Sequence, residues 1–390
     1  MNNNLTLTDK TVLEEAQSML ENHLDLHAEG YKCATKDLVN VLLAVAADQG
    51  TIESVCADLV ATPNPETIRQ YINEQLCVEE LPQLEAALNR ALVAKLPPRL
   101  WRRGQDVAMD FHDRPYYGKS LQEEGLWVRG QAKDGTTRFY RVATAYIIVK
   151  NLRFTLGIRF VLPGTSKVDV VRQLLQRVQD LHIPLHRLLL DRGFASIEVQ
   201  EFLDQQQIPA LIACPIRGKS GGTRALCQVC QGRRSYHTQH TFKGAKGKSR
   251  TAELAVCRTF TTAKRTKRLK RRATWHLFIL IHLDMSPRQV RRLYRRRFGI
   301  ETSYRCAGKV RGWTTSPNSA YRFLLMALGV LLANIWTLLR WTFTQRPRRG
   351  GRLLDTRKFQ LDRFAKFIVR ALQRHYGYVH QITAVVAPLM

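Results

Sequence analysis

Three carboxylates occupy positions that are unusual for an acid. Asp110 lies inside the apolar run VAMDFHD, Asp191 directly follows the apolar residues of RLLLD, and Glu301 lies in the arginine-rich stretch YRRRFGIETSYR. A carboxylate at the end of a buried strand is costly unless a positive group meets it. Three such acids can share a divalent cation, because Mg²⁺ takes oxygen ligands and keeps several of its waters.

Acids of this kind suit phosphodiester chemistry. Two metal ions about 3.5 to 4 Å apart can activate an attacking oxygen and stabilise a leaving oxygen. Arginine cannot hold a metal ion, but it can hold a nucleic-acid backbone and oppose the charge that develops on the reacting phosphate. Acids within a basic region therefore indicate metal-dependent cleavage of a polyanion.

Each acid also has a purely structural explanation. Arg297 and Glu301 are four residues apart and could form an exposed helical ion pair, worth a few tenths of a kcal/mol. Asp110 and Asp191, each taken singly, fit a capping or turn position. Asp113 is a rival to Asp110, three residues further along the same predicted strand.

The acids are distributed over a predicted sheet and the helix that follows it. Three runs predict strands because they are rich in β-branched and aromatic residues: VAMDFHD, FYRVATAYIIVKN and RFTLGIRFVLP. Helix and strand patterns then alternate through KVDVVRQLLQRVQDLHI, LHRLLLD, SIEVQEFLDQQQ and IPALIACPI. This order predicts an α/β fold with helices packed on a mixed sheet.

A well-marked helix carries the third acid. Ser286 to Gln289 supply a Ser N-cap, Pro in the first turn and Gln at the third position. At about 100° per residue, Val290 and Leu293 fall on one apolar arc and most of the arginines on another. Glu301 falls at the boundary between these two arcs, where the core is expected to meet a basic groove.

Composition indicates a globular protein with an anionic partner. The chain has 390 residues, 45% of them hydrophobic, which is enough for a real core in two to four folding units. The net charge is +29, yet the first 100 residues hold 7 basic and 15 acidic residues, which leaves +37 on the rest. A polyanion such as nucleic acid is therefore expected to meet the later part of the chain.

Composition shifts divide the chain into five predicted segments. They are a helical N-terminal domain (1–98), a first core part (99–216), a basic insertion (217–273), a second core part with the Glu301 helix (274–315) and a helical C-terminal region (316–390). Two short helices in TIESVCADLVATPNPETIRQYI fit either a DNA-reading helix-turn-helix or a packing bundle.

Nothing in the sequence favours secretion or a membrane. The N-terminus lacks the apolar region of a signal peptide, so we expect a cytoplasmic, nucleoid-associated protein. The apolar run at 323–339 has 17 residues, short of the roughly 20 that a span needs, and is expected to be a core helix. Eight scattered cysteines favour thiols or a metal site over a disulfide framework.

The sequence resembles the DDE transposases of bacterial and archaeal insertion sequences. In both, three acids, here Asp110, Asp191 and Glu301, follow one another along a βββαβαβ pattern that a further helix completes. The catalytic core of these transposases is ribonuclease H-like. The segments DFHDRPYYGK and DRGF also look like this family. The resemblance covers about residues 105 to 340.

Within that family the sequence is most similar to the branch with the Tyr-x2-Arg-x3-Glu-x6-Lys (YREK) signature. Tyr294, Arg297 and Glu301 stand at the required spacing. The lysine position holds Gly308, and Lys309 follows one residue later. This departure puts the phosphate contact of the lysine in question.

The resemblance implies a transposase that cuts DNA at the ends of its element and joins the freed 3′-hydroxyls to target DNA. Asp110, Asp191 and Glu301 would hold two Mg²⁺ or Mn²⁺ ions, and a homodimer would bring two ends together. Alternatives are a ribonuclease H-like nuclease that does not join DNA and an inactive DNA-binding protein. The expected DNA contacts are Tyr117, Lys119, Arg192, Arg271, Tyr294, Arg297, Arg305 and Lys309.

The basic insertion holds two further candidates. Cys227, Cys230, His237 and His240 supply ligand types that suit tetrahedral zinc, although free thiols in a flexible basic loop explain them better. Trp275 follows the basic run KRTKRLKRR. By resemblance it is a candidate for stacking on a flipped base, and the alternative is a core tryptophan.

Overall fold

A computed structural model describes residues 6–98, 102–118, 126–149, 152–228, 234–265, 268–297, 299–349, 351–355 and 357–382. Within these ranges it describes the side chains except at 228, 246, 261–265, 268–272, 299–302, 347–348 and 351–352. The chain forms two compact units. Residues 1–96 and 303–390 form the terminal unit, and residues 97–302 form the central unit.

The helices and strands of the described residues have the following bounds. The helices are α1 (Asp9–Glu21), α2 (Thr35–Ala47), α3 (Ile52–Asp58), α4 (Pro65–Gln75), α5 (Leu81–Val93), α6 (Lys167–Asp180), α7 (Ile197–Gln205), α8 (Thr223–Gln228), α9 (Pro287–Arg297), α10 (Gly299–Gly308), α11 (Ser319–Phe343) and α12 (Leu361–Tyr376). The strands are β1 (Glu29–Gly30), β2 (Cys33–Ala34), β3 (Gln105–Pro115), β4 (Val128–Lys133), β5 (Thr136–Val149), β6 (Leu152–Phe160), β7 (Leu185–Leu190), β8 (Ala210–Cys214), β9 (Tyr236–Lys243), β10 (Ser249–Arg265), β11 (Arg268–Ile281), β12 (Gln345–Arg348) and β13 (Gly351–Leu354).

The terminal unit joins the two ends of the chain. The C-terminal helix α12 packs on α1 and α2, and α11 packs on α5. N-caps define the helix starts, since the side chains of Thr8, Thr51 and Asn64 accept hydrogen bonds from the first turns of α1, α3 and α4. The predicted N-terminal and C-terminal segments thus share one core.

Helix α11 contains the apolar run noted in the sequence. Among the described helices it alone is long and apolar enough by itself to cross a membrane, with a mean hydropathy of 1.9. However, 83% of that window is buried inside the protein. This burial matches the core helix that the sequence predicts.

A buried polar network connects α12 to α1 and α2. Gln17 Nε2 donates to Asn40 Oδ1 over 2.6 Å, and Asn40 Nδ2 donates to the Tyr376 hydroxyl over 3.0 Å. The Tyr376 hydroxyl donates to Asp37 Oδ1 over 2.6 Å. Each bond satisfies a polar group that burial would otherwise leave unpaired.

Replacing Tyr376 by Phe is expected to destabilise the terminal unit by about 1 to 3 kcal/mol, because it removes one partner from both Asn40 and Asp37. Urea unfolding followed by circular dichroism measures the change. Tyr378→Phe is the matched control, since Tyr378 is 42% exposed and should tolerate the loss of its hydroxyl. Equal effects of the two variants would contradict a stabilising role for the network.

A nine-stranded mixed sheet is the core of the central unit. Its strands run in the order β4-β5-β3-β7-β8-β11-β10-β9, with β6 pairing on β5 beside β4. Strands β3, β7 and β8 are parallel, and the other pairs are antiparallel. Helix α6 packs on β5 and β6, and α7 contacts both α6 and β11. The arrangement is the mixed sheet with flanking helices that the alternating patterns predict.

The predicted basic insertion extends the same sheet. Strands β10 and β11 pair as a long antiparallel hairpin, from Glu253–Leu280 to Arg265–Arg268. The second half of β11 then pairs with β8, so the hairpin is continuous with the core. Strand β9 completes the edge beside β10.

Candidate active site

Two of the three predicted acids lie side by side on two neighbouring central strands of the sheet. Strands β3 and β7 are parallel neighbours, and their register ends on the pair Met109–Leu190. The next residue on each strand is an acid, Asp110 on β3 and Asp191 after β7. Residues that are 81 positions apart in the chain therefore meet where the parallel pairing of β3 with β7 ends, at the carboxyl end of β7.

The turn after β7 holds Asp191 in place without using its carboxylate. The Phe194 amide donates to the Asp191 carbonyl oxygen over 2.9 Å, and the Asp191 side chain makes no capping hydrogen bond. Fully buried Phe194 stacks on Phe111 of β3 with ring centroids 4.3 Å apart. The segment DRGF thus folds so that the Asp191 carboxylate remains available.

Helix α9 supplies the positive group that these acids need. It begins as predicted, because Gln289 N donates to Ser286 Oγ while Ser286 N donates to Gln289 Oε1. The capping box fixes the residue at which the helix begins. With this start, Val290, Leu293 and Tyr294 face the core and are buried. Arg297 is also buried, and its side chain is only 9% exposed.

Arg297 bridges the two carboxylates. Its Nη2 donates to Asp191 Oδ1 over 2.8 Å, and its Nη1 lies 3.4 Å from Asp110 Oδ2. The Tyr294 hydroxyl approaches the same Asp191 oxygen at 3.4 Å, and the guanidinium lies 5.0 Å from the Tyr294 ring centre. The Tyr-x2-Arg spacing thereby brings both side chains of the signature to the acids.

Burial dominates the electrostatics of the pair. The pKa of Asp110 is raised to about 7: burial is the largest cause, Arg297 lowers the pKa, and the charge on Asp191 raises it. Burial lowers the pKa of Arg297, but Tyr294 and the two acids outweigh it and leave that pKa raised. One guanidinium thus compensates the charge of two partly buried carboxylates only in part.

The donor set fits a hard divalent cation. Asp110 and Asp191 present carboxylate oxygens at one place, and oxygen is the donor type that Mg²⁺ and Mn²⁺ prefer. Among the described residues, no group of three or more His, Cys, Asp or Glu side chains converges. Glu301 belongs to α10, and its side chain lies outside the described part of the structure.

Asp113 has a different environment from Asp110. Both of its carboxylate oxygens accept hydrogen bonds from Arg141 on β5, over 2.6 and 2.7 Å. Side chains alternate between the faces of a strand, so residues three apart lie on opposite faces. The structure therefore separates the two candidates for the first acid and brings only Asp110 to Asp191.

The other predicted DNA contacts are scattered. Tyr117 is 68% exposed and donates its hydroxyl to the Asp134 carbonyl, and Arg192 is exposed next to Asp191. In the terminal unit, Arg305 is exposed, and Lys309 pairs with Asp362 over 3.2 Å. Lys119 and the side chain of Arg271 lie outside the described residues. The DNA contacts of all six residues stay predictions.

The predicted zinc ligands are not brought together within the described residues. His237 and His240 lie on opposite faces of β9, because their separation is odd. His237 pairs with Glu253 over 2.7 Å, and His240 packs edge-on against Phe242. Cys227 Sγ contacts the Thr223 carbonyl, and Cys230 lies outside the described residues, so the zinc site is untested.

Trp275 is a half-buried residue of β11. It stands directly across from Arg258 on β10, whose guanidinium lies 5.5 Å from the Trp275 ring centre. Its stacking on a flipped base stays a prediction.

Sequence reasoning overlooked one ion-pair cluster near the site. Asp106 of β3 accepts two hydrogen bonds from Arg187 of β7, over 2.9 and 3.1 Å, and His186 and Arg296 also approach it. The signal was present, since Asp106 and Arg187 each interrupt an apolar strand pattern. The cluster ties β3 to β7 at the strand ends opposite the candidate site.

The fold and the paired acids define an α/β protein with a carboxylate centre where two parallel strands stop pairing. The family described as Transposase DDE domain matches residues 102–335, and the chain belongs to this family. Its members are transposases, which agrees with the class that the sequence resemblance implies.

Comparison of structures identifies a piggyBac transposase, solved by cryo-electron microscopy as a synaptic complex with hairpin DNA. The TM-score is 0.54 at 10% sequence identity, and the match covers 95% of this chain and 78% of that one. This likeness confirms the predicted α/β fold class, a mixed sheet with flanking helices. No curated protein sequence matches the chain.

Proposed function

We propose that the protein is a DNA transposase of the YREK branch found in bacterial and archaeal insertion sequences. It cuts phosphodiester bonds at the ends of its element and joins the 3′-hydroxyls to target DNA. The observation that carries this proposal is the meeting of Asp110 and Asp191 at Arg297. Family membership and the basic charge of the chain support it.

Asp110, Asp191 and Glu301 would hold the divalent ions, two Mg²⁺ or Mn²⁺ per site. When bound, such ions activate the attacking oxygen and stabilise the leaving oxygen. The carboxylates are suited to this role because Asp110 sits in a low-dielectric position where a negative charge demands a cation.

Arg297 and Tyr294 would position the scissile phosphate. Within the described residues, buried Arg297 donates no hydrogen bond from Nε, and its Nη1 lies in an ion pair 3.4 Å from Asp110 Oδ2 without a hydrogen bond. A planar guanidinium with unused donors can hold a phosphate oxygen and oppose the charge that develops on it. Tyr294, packed on Phe278 with ring centroids 4.7 Å apart, keeps the guanidinium in orientation.

The expected partner is DNA, both the element ends and the target. The structural relative was solved with hairpin DNA, and the charge of +37 beyond residue 100 favours the same class of partner here. Two ends must be cut together, so a homodimer is proposed for the working complex, acting on nucleoid DNA in the cytoplasm.

A gel assay on DNA that carries the regions flanking the coding sequence tests this function. With MgCl₂ or MnCl₂, the full-length protein is expected to release cut ends and to join them to a circular target plasmid. Cut ends without joined product would identify a nuclease that does not transfer strands. No cut product with either metal would leave only DNA binding.

A further inference from the structure

A large arginine-walled cavity lies in the central unit, apart from the paired acids. Its volume is about 1220 Å³, and seven of the ten described residues that line it are arginines. Helix α9 contributes five of these, Arg153 comes from β6, and Arg258 comes from β10. Asp110 and Asp191 do not line it.

The arginines of α9 form one stripe. Arg288, Arg291, Arg292, Arg295 and Arg296 span an arc of roughly 140° at 100° per residue. The buried residues Tyr294 and Arg297 lie outside that arc. A single helix therefore meets the acids on its buried side and carries the arginine stripe on the other.

The cavity lacks compensating acids among its described lining residues. Arg296 approaches Asp106 at 3.8 Å, a long distance for an ion pair. Guanidinium groups gathered around one cavity repel each other, and a polyanion relieves that repulsion. The electrostatics thus favour a ligand with several closely spaced negative charges.

An aromatic ring borders Arg258, the residue of β10 that lines the cavity. The Arg258 guanidinium lies 4.9 Å from the ring centre of Phe260, which is 53% exposed. Sites for unpaired nucleic acid combine a positively charged groove with aromatic rings that stack on bases. An enclosure with arginines on three elements also suits one flexible strand better than the convex, stiff backbone of a duplex.

We propose that this cavity binds an unpaired segment of DNA through its phosphates, independently of base sequence. The proposal rests on the proposed function and specifies one form of its DNA partner. The exposed ring of Phe260 provides a surface on which a base at the border of the cavity stacks.

Fluorescence anisotropy with labelled oligothymidylate and with a mixed-sequence duplex of the same length tests the proposal on the full chain. Arg292→Ala with Arg295→Ala is expected to weaken single-strand binding by about tenfold or more and duplex binding much less. Two lost phosphate contacts should lower the slope of log K against log salt by about 1.4 for the single strand. Alanine favours helix at these exposed positions, and circular dichroism checks the fold.

Arg102→Ala with Arg103→Ala is the charge-matched control. These residues are exposed in the same unit and do not line the cavity. Their removal is expected to change single-strand affinity by about twofold or less, because only the general field of the protein changes.

Three results would overturn the assignment. They are an equal loss in the control, an equal proportional loss of duplex binding, and wild-type protein that does not bind oligothymidylate. The cleavage gel separates this proposal from the proposed function. If the wild-type protein cleaves DNA but gives any of these three results, only the assignment of the cavity is refuted. If the protein does not cleave DNA but shows the expected binding losses, only the proposed transposase activity is refuted.

Discussion

Replacing Asp191 by Asn is expected to reduce DNA cleavage by about a thousandfold or more and to abolish joining. The amide keeps the shape of the side chain but removes the charge that a divalent ion requires, and metal ions supply several kcal/mol to phosphoryl transfer. The measurement is the cleavage gel on flanking DNA at saturating MgCl₂. Circular dichroism should show the wild-type fold, because the Asp191 side chain caps no helix.

Asp113→Asn is the matched control for this prediction. Asp113 lies on the same strand as Asp110, but its carboxylate pairs with Arg141 on the other face of the sheet. Its replacement is expected to leave cleavage within about tenfold of wild type and to cost about 1 kcal/mol of stability. If Asp113→Asn abolished cleavage and Asp110→Asn did not, the first acid would be Asp113.

The choice between Asp110 and Asp113 illustrates what the sequence can decide. Strand alternation alone places these residues on opposite faces of β3, so only one of them can face Asp191. The pairing of β3 with β7, a contact between distant segments, decides which face of β3 is turned toward Asp191. Register of this kind is set by long-range packing, which a local pattern does not record.

Arg297 illustrates a limit of helical patterns. The wheel that places Val290 and Leu293 in the apolar arc also places Arg297 there, yet an arginine is ordinarily assigned to the surface. Its burial depends on acids from two other elements, Asp110 and Asp191. A charged residue within an apolar arc is therefore a signal for a buried partner, and the sequence contains that signal.

The terminal unit could not be derived from the sequence. Local patterns predict most of its helices, because caps and apolar periodicity lie within each helix. The packing of α12 on α1 joins segments at opposite ends of the chain. A hydrogen bond such as that from Asn40 to Tyr376 cannot be predicted from the local pattern of either segment.

Replacing Arg297 by Ala is expected to impair both stability and catalysis. Removal of one partner from a buried ion pair costs about 3 kcal/mol, which lowers the Tm of a unit of this size by roughly 6 to 12 °C. Loss of one phosphate donor should also reduce cleavage by about a hundredfold or more. Differential scanning calorimetry and the cleavage gel measure the two effects.

MgCl₂ should raise the Tm of Arg297→Ala by more than it raises that of wild type. Arg297→Ala removes the guanidinium that pairs with both Asp110 and Asp191, so a divalent ion bound there would replace the lost positive charge. A divalent ion that binds only the folded state then stabilises it according to its concentration. Arg141→Ala is the control, because it removes the partner of Asp113 and leaves the paired acids bridged by Arg297. An identical response to MgCl₂ in all three proteins would show that the paired acids do not bind the metal.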